Sequence, residues 1–297
     1  MRNIFIAIAV VLSVGVNCMS ARSADELPLP AVPADMTSPE ERAGYILGHF
    51  WDAMDFTDAR LSHDRSFMEQ NLVNFFSVMP HASSASVAEG VKGLMSKAAS
   101  DSVSYRLVLE LAEHYLYEHG SPMRDEESFI PFLEIAVDSP QLTEAERIRP
   151  KYLLEEAMMN RVGTLSADFE MTLRDGSKST MHEYGKGSRM LLMFYDPDCR
   201  HCAEVIEMLD SDADFNGLLD RGALKVLAVY PFGEEDVWKS PMVKIPSKWT
   251  DAMADLVEVD IYSFPEMPVL YLLDESGKVV LKDVGAEKIV EHVKSMK

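Results

Sequence analysis

Residues 191–202 have the sequence LLMFYDPDCRHC, which combines a buried strand, a short turn and two cysteines. Pro197 ends the apolar run of strand length, because proline cannot donate a hydrogen bond to a strand ladder. After Cys202 apolar residues recur at helical spacing, which predicts a helix. Cys199 would then lie at the helix N-terminus, with Cys202 one turn later on the same face.

This predicted position of Cys199 favours its ionised form. Unpaired backbone N–H groups and the positive end of the helix dipole point at the first residue of a helix. The thiolate is the nucleophilic form of cysteine. Arg200 and His201 add positive charge beside it, whereas Asp196 and Asp198 add negative charge, so the sign of the balance stays open.

Three separated motifs resemble those of thioredoxin-fold disulfide oxidoreductases of the TlpA/ResA-like type. They are GTLSADF at residues 163–169, C-R-H-C at residues 199–202, and MPVLYLLD at residues 267–274. Their order and spacing match the family over residues 163–297. The resemblance implies an α/β thioredoxin-like C-terminal domain, in which helices flank a mixed sheet.

Residues 38–161 carry helical patterns and no strand pattern. A capping box with proline at the first helical position, SPEE at residues 38–41, opens the first of about six amphipathic runs. We therefore expect an all-α N-terminal domain. It could dock a partner or substrate, or it could be a structural extension, and the sequence favours neither.

These patterns predict four segments along the chain. They are a signal peptide at residues 1–23, a linker at residues 24–37, the all-helical domain at residues 38–161 and the thioredoxin-like domain at residues 162–297. Within the last domain we predict strands near residues 169–173, 179–181, 190–195, 224–229, 269–273 and 278–281. Residues 238–255 are interpreted as an insertion or a helix on this scaffold.

The first residues predict export. Arg2, the apolar run of residues 4–16 and the small-x-small sequence ending at Ser23 form a cleavable signal peptide that is too short for a comfortable membrane span. We therefore expect a periplasmic protein. Cys18 could instead accept a lipid and make a membrane-anchored lipoprotein, although Asn17 before it fits such a signal poorly.

Composition limits the partners. The net charge of −21 argues against nucleic acid, because binding to the phosphate backbone needs Lys and Arg. The chain has three cysteines, and cleavage of the signal peptide would remove Cys18 and leave Cys199 and Cys202. A disulfide scaffold would use more cysteines spread along the chain, so this pair is better interpreted as a working redox pair that needs no other cofactor.

We assign Cys199 as the attacking thiolate and Cys202 as the residue that resolves the mixed disulfide. The resemblance implies that Met267 and Pro268 bind the substrate. In the family this proline is cis and exposes the preceding backbone for strand-like pairing. The side chains expected to modulate the thiolate are Arg200, His201, Asp198 and Glu204.

The chain departs from the family at two positions. Asp198 replaces the aromatic residue that usually precedes the first cysteine, and Met193 stands where thioredoxins have a buried carboxylate. Glu204 or Glu207 would then have to accept the proton of the resolving thiol. His201 is shared with strongly oxidising members of the family, so the direction of electron flow stays open.

Other interpretations remain. A metal-binding C-x-x-C with His201 as an extra ligand lacks the second pair that zinc sites use. A thiol peroxidase needs Thr or Ser where Asp196 stands. A non-enzymatic binding protein on the same scaffold would not need both cysteines. A metal site on a helix could use Glu110, Glu113, His114 and His119, although a solvated helix face has the same pattern.

The preferred hypothesis is an exported thiol–disulfide oxidoreductase. Its partners would be protein thiols and disulfides, together with an unidentified partner that recharges the cysteine pair. The family resemblance slightly favours a reductase over an oxidase.

Overall fold

The computed structural model describes residues 26–239 and 243–295. The predicted signal peptide and Cys18 lie outside the described residues. Within the described ranges, no helix has the length and apolar character needed to cross a bilayer.

The described N-terminal part consists of helices whose starts are encoded locally. Each follows a Ser, Thr or Asp whose side-chain oxygen accepts a first-turn backbone N–H, which satisfies a donor that the helix itself cannot pair. The helices are α1 (Pro39–His49), α2 (Ala59–Ser62), α3 (Arg65–Val78), α4 (Ser84–Ala98), α5 (Ser102–Leu116), α6 (Glu126–Val137) and α7 (Glu144–Met158), with a short 3-10 helix at Met79–His81.

An aromatic core joins these helices. Phe76 of α3 meets Phe132 of α6 edge to face, with ring centroids 6.1 Å apart. The predicted linker contributes too, because Leu27 packs against this core and its N–H donates to Asn71 Oδ1 at 2.8 Å. At Leu27 the predicted linker is therefore docked on the helices.

The C-terminal part forms a mixed sheet of seven strands in the order β2-β1-β5-β4-β3-β6-β7. Its strands are β1 (Glu170–Leu173), β2 (Lys178–Thr180), β3 (Met190–Phe194), β4 (Lys225–Tyr230), β5 (Thr250–Met253), β6 (Val269–Leu273) and β7 (Val279–Lys282). The flanking helices are α8 (Met181–Gly185), α9 (Arg200–Ser211), α10 (Ala213–Asp220), α11 (Glu235–Trp238) and α12 (Ala286–Ser295). The predicted fold class, an all-α part followed by a thioredoxin-like α/β part, is confirmed.

Strand β3 is the centre of the sheet. All five of its residues are buried, because it pairs in parallel with β4 and antiparallel with β6 and is covered on both faces. Leu191 and Met193 face the core beneath α9 and α12, whereas Leu192 and Phe194 face the opposite core. The turn after β3 therefore emerges at the middle of the sheet edge.

The interpretation of residues 238–255 as an insertion or a helix is wrong, because they contain β5. This strand has the sequence TDAM, and only Ala252 in it is buried. It lacks the apolar alternation by which a strand is recognised in sequence. Pairing defines it instead, since β5 lies parallel to β4 and antiparallel to β1.

Lys282 at the end of β7 joins the two parts of the chain. Its Nζ donates to the carbonyl oxygens of Glu156 and Ala157 at 3.1 and 3.0 Å, where helix α7 ends. A cation is favoured there because the last carbonyls of a helix lack partners. The same Nζ lies 2.6 Å from Glu126 Oε2, so the start of α6 is also held against β7.

Candidate active site

The first turn of α9 holds the two cysteines. Cys199 is the N-cap residue, and its Sγ accepts a hydrogen bond from the Cys202 N–H at 3.1 Å. A capping sulfur takes the place that Ser or Asp usually fills, and it accepts this bond more strongly as a thiolate than as a thiol. Both cysteines are free thiols in the structure.

The two thiols have unequal surroundings. Cys199 is partly exposed, whereas Cys202 is 0% exposed. Burial raises the pKa of the Cys202 thiol, the neighbouring Cys199 raises it further, and the backbone N–H of Asp196 opposes the change. Cys199 is thus the accessible thiol of the pair, and Cys202 is a protected thiol directly behind it.

Met267 and Pro268 lie opposite this pair. Cys199 Sγ donates to the Met267 carbonyl oxygen at 3.6 Å, and the Met267–Pro268 peptide bond is cis. The two segments meet because β6, which begins at Val269, pairs with the end of β3 at Phe194. Within the described chain the Met267 N–H has no hydrogen-bond acceptor.

The charged neighbours of the cysteines bind one another. Arg200 is 92% exposed and its Nε lies 3.0 Å from Glu204 Oε1, while His201 is 68% exposed with Nδ1 3.7 Å from Glu204 Oε2. Asp198 is exposed, and its backbone N–H donates to Asp196 Oδ1 at 2.8 Å. Glu204 therefore contacts Arg200 and His201 at the surface of α9, so its carboxylate is engaged there and not at the buried thiol.

A carboxylate whose side chain is only 11% exposed, that of Asp251, lies on a different strand from the one the family resemblance suggested. Met193 is buried, and the same row of the sheet runs across Ala228 to Asp251 on β5. Asp251 accepts hydrogen bonds from the Tyr195 hydroxyl and Trp238 Nε1, both at 2.8 Å, and pairs with Arg174 Nε at 2.6 Å. Sequence reasoning missed Asp251 because it missed β5.

The Tyr195 hydroxyl depends on this carboxylate. Burial raises the pKa of Tyr195 well above its usual range, and the charge of Asp251 raises it further. The phenol therefore stays protonated and donates to Asp251 at any physiological pH.

A cleft of 930 Å³ begins at the redox site and ends against the helical part of the chain. One wall carries His201, Met267 and Pro268 and continues along β7 and the start of α12. The opposite wall is the loop between α5 and α6 with the first residues of α6. Its lining on that side is His119, Gly120, Ser121, Pro122, Arg124, Asp125, Glu126 and Glu127.

Asp283 fixes the second wall. It follows β7 with a left-handed φ of 45° and forms an ion pair with Arg124 at 2.5 Å, and His119 Nε2 lies 3.3 Å from the same carboxylate. Burial alone would raise the pKa of this carboxyl, but His119 and Arg124 outweigh burial and hold the pKa below its usual value. No pattern in the sequence pointed to this cluster, because Asp283 is more than 150 residues from Arg124 and His119 along the chain.

The side chains considered for a helical metal site take separate partners. Glu110 pairs with Arg65, Glu113 with Arg149 and His114 with Glu118. Among residues 26–239 and 243–295, no group of three or more His, Cys, Asp or Glu side chains is arranged to hold a metal ion.

Comparisons with known proteins place both parts of the chain. The family model for the Domain of unknown function (DUF5106) matches residues 12–160. The crystal structure of a thioredoxin-like protein from Bacteroides caccae is 32% identical over 91% of this chain and 98% of that one, with a TM-score of 0.82. No curated protein is similar enough to count as a match.

Two further structures cover the C-terminal part alone. The C-terminal domain of an uncharacterized protein from Bacteroides fragilis is 33% identical over 46% of this chain and 98% of its own length, with a TM-score of 0.44. The thioredoxin domain of a thiol-disulfide oxidoreductase from Bacteroides vulgatus is 20% identical over 46% and 96%, with a TM-score of 0.40.

The fold and the paired cysteines thus define a thioredoxin-like protein. The chain belongs to the family represented by the Bacteroides caccae thioredoxin-like protein, and its N-terminal half belongs to the DUF5106 family.

Proposed function

We propose that this protein is a thiol–disulfide oxidoreductase that exchanges disulfides with protein partners through Cys199 and Cys202. One observation carries the proposal. A partly exposed sulfur caps α9 beside the backbone carbonyl of Met267, and a buried thiol lies one turn behind it.

The reductive cycle has two steps. The Cys199 thiolate attacks one sulfur of a partner disulfide, which forms a mixed disulfide and releases the other partner sulfur as a thiolate. Cys202 then loses its proton and attacks Cys199 Sγ, which releases the second partner thiolate. The partner gains two electrons, the Cys199–Cys202 pair becomes a disulfide, and protons from the two protein thiols balance the partner thiolates.

The charges around the site favour the reductive direction. A strong oxidant of this class has a stabilised reduced form, to which positive charge near the attacking sulfur contributes. Here the Arg200 guanidinium is paired with Glu204, and the carboxylates of Asp196 and Asp198 lie in the turn just before Cys199. We propose a reductase on this ground.

The cellular setting is also part of the proposal. The N-terminal pattern favours an exported, periplasmic protein, with attachment through a lipid on Cys18 as the alternative. A reductase there needs a second thiol partner that returns electrons to the Cys199–Cys202 disulfide.

Reduction of insulin disulfides tests the activity. Wild type is compared with Cys199→Ser, which removes the attacking sulfur, and with Cys202→Ser, which keeps it. We expect turnover in wild type alone, and a stable mixed disulfide with substrate in Cys202→Ser alone. Equal rates for wild type and Cys199→Ser would defeat the proposal.

The direction of electron flow is tested separately, by the redox potential of the Cys199–Cys202 pair. The Cys199–Cys202 pair is equilibrated with glutathione redox buffers, and the oxidised fraction is measured by thiol alkylation and mass. A potential near that of thioredoxin supports a reductase, and one near that of strongly oxidising family members supports an oxidase.

A further inference from the structure

We propose that the cleft between the α5–α6 loop and the redox site binds an extended, positively charged segment of the partner protein beside its reactive cysteine. The helical part of the chain would then form one wall of the substrate site. This inference rests on the proposed oxidoreductase function.

The position of the cleft supports the first half of the proposal. Met267 and Pro268 line it directly beside Cys199, and the α5–α6 loop lines another part of the same cleft. A partner segment whose cysteine reaches Cys199 has neighbouring residues within this cleft. Its volume of 930 Å³ is at the upper end of the range of about 300–1,000 Å³ that binding pockets occupy.

The charges along the cleft select a cationic occupant. Glu266, Glu287 and Glu291 are exposed, line the cleft and take part in no ion pair among the described residues. Glu287 and Glu291 are one turn apart on α12, so both point to the same side. Of the lysine and arginine residues on the walls, those at positions 124 and 282 are already engaged by Asp283 and Glu126, which leaves Lys288.

The negative charge along the cleft should act mainly on the rate at which the protein and its partner associate. Single exposed charges are weak in water at physiological ionic strength, where screening acts over about 8 Å. Several charges of one sign along a cleft raise the local concentration of an oppositely charged partner and its association rate. The preference should therefore appear in kcat/KM and weaken with added salt.

The α5–α6 loop is held against the sheet, so it can contribute to the choice of substrate. Arg124 and His119 fix the α5–α6 loop to Asp283, and Lys282 fixes the start of α6. Gly120 in this loop has open space around it, since a Cβ built there meets nothing within 4 Å. A large side chain at this position would enter the cleft without disturbing the core.

Three disulfide-linked peptides test the charge preference. They differ only in the residues next to the cysteine, which are Lys, Gln or Glu, and their reduction by the reduced protein is followed at low and high salt. We expect the Lys peptide to be reduced about tenfold faster than the Glu peptide at low salt. The neutralised variant Glu266→Gln/Glu287→Gln/Glu291→Gln should lose most of this ratio.

The control variant carries the same charge change elsewhere. Glu40→Gln/Glu41→Gln/Glu89→Gln alters α1 and α4, which pack against each other and not on the sheet. It should keep the wild-type ratio. Equal rates for all three peptides, or the same loss of preference in both triple variants, would overturn the cleft proposal and leave the proposed function standing. Failure of all three peptides, including the neutral one, would defeat the function itself.

The variant Gly120→Trp tests the helical wall. It should lower kcat/KM for the Lys peptide by about an order of magnitude, the scale of one good interface contact. Reduction of the protein's own disulfide by dithiothreitol, a small molecule, should not change. Gly48→Trp on α1, where a Cβ also meets nothing, is the matched control. If both variants behave like wild type towards the peptide, the α5–α6 loop is not part of the substrate site.

Discussion

Arg124 connects the helical part of the chain to the sheet through one buried carboxylate, and its replacement by methionine leaves that carboxylate short of a partner. The side chains of Arg124 and Asp283 are 13% and 12% exposed. Breaking a buried ion pair by removal of one partner costs about 3–5 kcal/mol. Because His119 stays beside Asp283, we expect Arg124→Met to lower the free energy of unfolding by about 3 kcal/mol.

Urea unfolding at neutral pH, followed by tryptophan fluorescence and circular dichroism, measures this loss. The matched control is Arg65→Met. Arg65 also pairs with a distant carboxylate, that of Glu110 at 2.7 Å, but the two side chains are 52% and 61% exposed. An exposed pair contributes about 0–1 kcal/mol, so the control should unfold close to wild type.

A double-mutant cycle with Asp283→Asn separates the ion pair from the packing of the arginine stem. Once the carboxylate is neutral, loss of Arg124 should cost much less, and the coupling should reach at least about 1 kcal/mol. If Arg124→Met and Arg65→Met lose the same stability, or if the double variant is additive, the bridge does not hold the two parts together. The account of the cleft wall would then be wrong as well.

Four shorter predictions follow from the same contacts. In the native reduced protein, iodoacetamide should modify Cys199 and spare Cys202 up to pH 9 or so, because burial removes access to Cys202 and raises its pKa; a second adduct by mass spectrometry at neutral pH would contradict this. Asp251→Leu should cost about 3 kcal/mol or more in urea unfolding, because the buried Tyr195 hydroxyl and the buried Trp238 Nε1 lose their acceptor. Ile289→Ala should cost about 2–5 kcal/mol by the same measurement, since this side chain is fully buried on the inner face of α12. The lowered pKa of Asp283 means that its contribution is present above the ordinary carboxyl pKa and is lost as pH falls through the lower native value, so Asp283→Asn should flatten the acid side of a plot of urea midpoint against pH.

Much of the site could be predicted from sequence because its parts are local. Pro197 and the helical spacing after Cys202 place the two thiols at a helix start, and the structure has Cys199 as the N-cap of α9. Helix starts in the N-terminal part were similarly accessible, since a capping side chain bonds within its own first turn. Met267 and Pro268 could be associated with the cysteines only through the family resemblance.

Other features depend on contacts between distant residues. Strand β5 has one buried side chain and becomes a strand only because β4 and β1 offer it backbone partners, so Asp251 could not be placed in advance. The cluster of Arg124, His119 and Asp283 could not be predicted from sequence either, because charged residues of each kind are common on any protein surface.

The sequence by itself therefore determined which residues begin helices, which runs are buried and which two thiols share a helical turn, since each depends on neighbours within a few positions. Only the tertiary structure decided that the α5–α6 loop faces Met267 and Pro268 across a cleft. That arrangement depends on Lys282 and Asp283 meeting partners on the helices, and no periodicity or spacing encodes a pairing between side chains so far apart in the chain.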